Sequence, residues 1–180
     1  MDEKNILRLK LPWLWGTDLL CTAGYGPDSG SPYHDDKHNA FYALDFDKPW
    51  RGNMMPVVPI LAVEKGNIVT IETNPEHPFG CHVVINHGGG YKSLYAHLMG
   101  MPDIPDLVRQ GQLLGYMGET GHAQGPHLHF QLFFRNLCRE KIKRAMPESI
   151  SGYTLFKPGN WYHSDNFRFI IGEDNDTDIG

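Results

Sequence analysis

The sequence predicts a mostly β protein built on an antiparallel sheet or sandwich, and three observations carry that expectation. Short β-branched or alternating runs recur at 60–63, 67–73, 81–86 and 93–98. Tight-turn signals separate them: Lys65-Gly66, Asn74-Pro75 and His87-Gly88-Gly89-Gly90. Thirteen prolines and twenty glycines are scattered over 180 residues, a density that favours short antiparallel strands over alternating βαβ units.

Taken in order, the first strand with a clear alternation is Tyr42-Ala43-Leu44-Asp45-Phe46-Asp47. Residues i and i+2 of a strand share a face, so Tyr42, Leu44 and Phe46 point one way and Ala43, Asp45 and Asp47 the other. In 93–98 the same period places Leu94, Ala96 and Leu98 on one face and Tyr95 with His97 on the opposite one. Gly111, Gly115, Gly118 and Gly121 punctuate an apolar stretch as turns between short strands require. A phosphate cradle is the competing reading, but no Lys-Ser/Thr pair follows and no strand leads into a helix. One helix is expected, within 137–146, and the acidic segment 172–180 is expected to fray.

Composition limits the partners. With 41% hydrophobic and 12% aromatic residues, 180 residues bury one sizeable core and need not hold two. The net charge is −5. The densest basic group, Arg139, Lys141, Lys143 and Arg144, reads as a solvated helix face rather than a nucleic-acid footprint. No stretch approaches the roughly 20 apolar residues of a spanning helix, and the amino terminus shows no secretory h-region. Cys21, Cys81 and Cys138 lack a CxxC and are expected to be free thiols, compatible with a reducing compartment. Trp13, Trp15, Trp50 and Trp161 are read as closing the core or the walls of a groove.

Chemistry concentrates around Gly125-Pro126-His127-Leu128-His129-Phe130. On a strand both imidazoles project to one face, an arrangement suited to a metal centre. Asp45 stands on another strand beside the small Ala43, and His34 and His38 lie in the polar segment before it. Two histidines and one carboxylate are a common set for a zinc ion that keeps its fourth position for water.

These residues resemble the lysostaphin-like zinc metallopeptidases, endopeptidases that cut peptide cross-links in bacterial cell walls. The resemblance runs in order through a histidine before YALDF, Pro59 to Gly66, His87-Gly88 to Leu98, Gly111 to Gly121, and Gly125 to Phe130. It implies the lysostaphin-like form of the β sandwich (a duplicated hybrid motif) with an open active-site groove and a short C-terminal helix. It also implies a division into an N-terminal extension (1–30), a metallopeptidase core (31–135), a closing segment (136–171) and a tail (172–180). One Zn²⁺ per chain would be held by the first-motif histidine, Asp45 and His129, with His97 and His127 acting in catalysis without binding metal. The compact form of the first motif has three residues between His and Asp, whereas His34 and His38 lie eleven and seven positions before Asp45. A Ser-x-x-His stretch, Ser31-Pro32-Tyr33-His34, favours His34, with His38 as the alternative.

No H-E-x-x-H motif supplies a glutamate base, so a histidine must take that part: His127 as general base, His97 orienting water or stabilising the oxyanion, and Tyr95 adding a contact to substrate. The expected substrate is a peptidoglycan stem or cross-bridge peptide, cleaved by a monomer with no nucleic-acid partner. The family acts outside the cytoplasmic membrane. A catalytically inactive wall-binding or hydrolase-activating relative is the second expectation, disfavoured because such relatives lose ligands and every required residue type is present here.

Overall fold

The computed structural model describes residues 9–26, 29–35, 37–38, 40–134, 150–153 and 156–167. Ten strands are found among them: β1 Asp18–Ala23, β2 Ala43–Asp47, β3 Pro59–Leu61, β4 Gly66–Glu72, β5 Cys81–Gly88, β6 Tyr91–Met99, β7 Leu107–Val108, β8 Leu113–Met117, β9 Leu128–Phe134 and β10 Trp161–His163. The fold is mostly β and antiparallel, as the turn-rich sequence requires, and no helix occurs among the described residues. The expected helix at 137–146 and the acidic tail lie outside them. No helix of the described residues is long and apolar enough to cross a membrane.

The main sheet runs β10-β1-β2-β9-β6-β5-β4-β7, and β8 pairs with both β3 and the far end of β6. Alternation decides what lies on each face of its centre. Leu44 and Phe46 of β2 and Leu128, Phe130 and Leu132 of β9 enter one buried cluster with Ile60, Leu114 and Met117 of the β3–β8 pair. The other face carries Asp45, His129 and Gln131. The N-terminal segment joins the same cluster through Leu9, Leu11 and the fully buried Trp13, whose ring lies 4.7 Å from that of Phe46.

A polar chain crosses this core. The His87 Nδ1–H donates to the Lys65 carbonyl (2.8 Å), leaving Nε2 to accept from the Ser93 hydroxyl (2.7 Å). Ser93 Oγ in turn lies 3.0 Å from the Tyr95 hydroxyl, which accepts the Val63 N–H at 2.9 Å. The chain is complete only with a neutral imidazole, and burial pushes the His87 pKa down against the smaller opposing pull of the Lys65 carbonyl. A depressed histidine stabilises the fold fully above its unfolded pKa, and that contribution is lost as pH falls from there through the folded value. The urea midpoint is therefore expected to drop as pH is lowered below about 6.5, with a shallower drop in His87→Leu. Near neutral pH that variant loses about 1–3 kcal/mol by stranding Ser93 and the Lys65 carbonyl.

The expected common face of Tyr95 and His97 does not form. Tyr95 pairs with Val83 and Leu98 with Cys81, so Ala96 and His97 together oppose the single residue His82. This bulge puts His97 in the left-handed region at φ 61°. Tyr95 thus turns into the core beside Phe130, fully buried, while His97 swings to the Asp45 face. The substrate contact expected of Tyr95 has no route from there, since its hydroxyl is engaged by Val63 and Ser93.

Candidate metal centre

Strand register builds the centre. Asp45 of β2 stands directly opposite His129 of β9, and His129 directly opposite Ala96 of β6. Directly opposed side chains approach to about 5 Å at Cβ, so the carboxylate and the imidazole meet, and the methyl of Ala96 leaves room on the other side. His129 Nδ1 lies 3.0 Å from Asp45 Oδ1. The segment between β1 and β2 brings in His34, 1% exposed, whose Nδ1–H donates to the Gly24 carbonyl at 2.7 Å. Its Nε2 then faces Asp45 Oδ2 at 3.1 Å.

Ligand atoms of His34, Asp45 and His129 all fall within 4.8 Å of one another. His38 is elsewhere: its Nδ1 binds Asp35 Oδ1 at 2.7 Å in a local turn, and its side chain is 40% exposed. Of the two first-motif histidines, only His34 joins the cluster. A polar side chain this deep must be satisfied. Yet His34 Nε2, within ion-pairing range of Asp45, lacks hydrogen-bond alignment and has no hydrogen-bond partner, and His129 Nε2 is likewise buried without one. Because the Gly24 carbonyl fixes the proton on Nδ1, neutral His34 turns a lone pair toward a carboxylate. A cation between them answers both groups, and two imidazoles with one carboxylate are the donor set of a zinc site with an open position.

Electrostatics agree with that geometry. Burial pushes the Asp45 carboxyl up, but the hydrogen bond from His129 and the electrostatic pull of His129 and His34 outweigh it and hold the group well below the usual carboxylate range. Burial lowers the His34 pKa, and Asp45 with the Gly24 carbonyl more than reverses this, leaving it raised.

Two further imidazoles flank the triad. His127, just ahead of β9, donates its Nδ1–H to the Gly125 carbonyl (2.9 Å), and its Nε2 lies 3.9 Å from Asp45 Oδ1. His97 donates its Nδ1–H to the Thr120 carbonyl (2.8 Å). Their rings are 4.7 Å apart. Burial first, then the charge of His127, pushes the His97 pKa down to about 4. Both side chains are therefore locked in the tautomer that leaves Nε2 free to accept a proton.

The Thr120 carbonyl is itself held by a close crossing of two loops. Gly121 N–H donates to the Pro75 carbonyl (2.8 Å), and a Cβ on Gly121 would come 2.3 Å from the Gly80 nitrogen, at φ +73°. Only glycine fits there. Sequence reasoning read Gly121 as a turn and missed this second task, along with the anchoring carbonyls of Gly24, Thr120 and Gly125, which no side-chain pattern announces. Phe79, also missed, packs its ring 5.4 Å from that of His129.

The model of peptidase family M23 matches residues 49–140, just over half of the chain. The chain belongs to peptidase family M23. The matched stretch includes His97, His127 and His129 and begins after Asp45. Among M23 relatives, the peptidoglycan DD-endopeptidase ShyB of Vibrio cholerae is 33% identical over 91 residues, which are 49% of this chain and 21% of ShyB. The DD-carboxypeptidase/endopeptidase Mpg of Neisseria meningitidis is 42% identical over 69 residues, 38% of this chain and 16% of Mpg. The chain thus spans about a fifth or less of these relatives. A zinc-containing peptidase from Vibrio cholerae superposes with a TM-score of 0.55 at 26% identity, over 72% of this chain and 38% of that one. Lysostaphin from Staphylococcus simulans, at a TM-score of 0.51, 24% identity, 79% of this chain and 56% of its own, shares the fold.

Proposed function

We propose that this M23 member is a zinc-dependent endopeptidase that hydrolyses peptide bonds in peptidoglycan stem or cross-bridge peptides. The observation that carries the reading is the convergence of His34, Asp45 and His129, with the free Nε2 atoms of His97 and His127 beside them. The names of ShyB and of the Vibrio cholerae zinc-containing peptidase support the substrate and the metal.

When bound by the triad, zinc supplies a Lewis acid and brings the acidity of a ligated water close to neutral pH. His127 Nε2, with its other nitrogen tied to the Gly125 carbonyl, takes the proton from the attacking water and returns it to the departing amine nitrogen. His97 has its only ring proton committed to the Thr120 carbonyl, so its Nε2 accepts a hydrogen bond and orients the water rather than donating to an oxyanion. Asp45 and His129 sit on adjacent strands and fix the position of the reacting centre to the sheet. One chain provides every donor, so a monomer suffices, and the substrate places the protein outside the cytoplasmic membrane.

Incubation with purified peptidoglycan should release new amino termini, and the activity should disappear with a chelator and return with zinc. An inert protein at saturating zinc would exclude the reading. The ligand set has its own check: wild type and His38→Ala should bind about one zinc per chain, while His34→Ala should lose affinity by at least about 100-fold, more than the 10–100-fold typical of losing a mere supporting group. Equal zinc content in the two variants would contradict the assignment.

A further inference from the structure

The face that carries Asp45 does not end at the metal centre. Leu20 of β1 pairs with Asp47 of β2 on one side and with Trp161 of β10 on the other. One residue past the Phe46–Leu128 pair, Asp47 falls beside His127, whose charge acts on it. Tyr162 and Cys21, the sequence neighbours of Trp161 and Leu20, are buried in the core, so Trp161 and Leu20 project to the opposite face, the face of Asp45 and Asp47. His127, Asp47, Leu20 and Trp161 therefore form one row across four neighbouring segments.

Three features of the row are not accounted for by the buried core. Asp47 Oδ1 is buried yet has no hydrogen-bond partner, a state that costs free energy unless something donates to it. Leu20 is half-buried on the face that carries Asp45 and Asp47. Trp161 is 53% exposed, and Lys48, which donates to the Asp18 carbonyl at 2.9 Å, steadies the indole with its ammonium 5.9 Å from the ring centroid. Neighbouring strands are about 4.8 Å apart, so three steps from His127 reach Trp161 at about 14 Å. An extended peptide covers that distance in about four residues at roughly 3.4 Å each.

We propose that the row His127–Asp47–Leu20–Trp161 is the track for an extended, uncharged peptide segment of about four residues on one side of the cleaved bond. The Asp47 carboxylate, on a side chain that is only half-buried, turns to accept a backbone N–H of the residue nearest that bond, Leu20 lies under the middle of the segment, and Trp161 packs on the apolar surface of the fourth residue. This rests on the endopeptidase reading, and it concerns how far substrate is gripped rather than how it is cut.

The test uses binding, so it does not depend on turnover. Capped alanine-rich peptides lengthened from two to six residues are titrated by calorimetry into zinc-loaded His127→Ala protein. Burying one apolar side chain contributes about 1.5 kcal/mol or more, so Kd should tighten about tenfold at one step of the series. That step should vanish when Trp161→Ala is added and persist with Trp161→Phe, while Asp47→Asn should weaken all lengths about equally. The same step in the Trp161→Ala background, or no step in any background, overturns the track. Peptidoglycan left uncut by the wild-type chain, with the length step intact, would instead remove the endopeptidase reading and leave the track standing.

Discussion

His127→Ala is expected to lower hydrolysis of purified peptidoglycan about 10²–10⁴-fold, the usual contribution of a positioned acid or base, while zinc content stays at the wild-type level. The separation of these two readouts follows from the geometry. His127 Nε2 stands 3.9 Å from Asp45 Oδ1, near the triad but outside the group of ligand atoms that converge. Its side chain is only partly buried and its one hydrogen bond is to the Gly125 carbonyl, so truncation removes a proton acceptor without opening the core. A variant that loses zinc as well would make His127 a ligand. One that cleaves normally would transfer the base role to His97.

Trp13→Ala is expected to cost about 3–5 kcal/mol, the range for truncating a large buried aromatic, and to lower the melting temperature by roughly 10 °C in a chain of this size. Trp13 is wholly inaccessible, its Nε1–H donates to the Thr17 carbonyl at 2.9 Å, and its ring meets Phe46. Phe46 follows Asp45 on β2, so the cavity would open on the underside of the strand that carries the carboxylate. Activity measured well below the new transition should fall less than stability does, because the Asp45–His129 register is kept by backbone pairing. A change under about 1 kcal/mol would mean that the N-terminal segment is a detachable cover.

The central strands were legible because one of their faces is apolar and the other polar. In β2 that condition writes Leu44 and Phe46 against Asp45 and Asp47, and from the residue before β9 into the strand it writes Leu128 and Phe130 against His127 and His129. Once these strands are known to be neighbours, the meeting of Asp45 with His129 follows. Their being neighbours was not legible: β2 lies between β1 and β9, partners separated from it by very different lengths of chain, and local pattern is silent on long-range pairing.

Alternation also misled at β6. The bulge at Ala96 and His97 is a property of the β5–β6 ladder, visible only when both strands are counted against each other, and it sent Tyr95 and His97 to opposite sides. The choice between His34 and His38 was beyond spacing arguments for a related reason. It turns on which imidazole the Gly24 carbonyl can reach, and thus on how the segment folds back over the end of β1. Trp161 belongs to a short edge strand whose three residues carry too little pattern to be read alone.

The three donors of the centre are not held with equal firmness. Asp45 and His129 ride on strands flanked on both sides by other strands, whereas His34 sits in an irregular excursion joined to the sheet by a few hydrogen bonds. Amide protons of β2 and β9 should thus exchange with solvent only on global unfolding, and those around His34 by brief local opening. Two of the three donors are thus set by the register of the sheet itself, while the third depends on one carbonyl just past the end of β1.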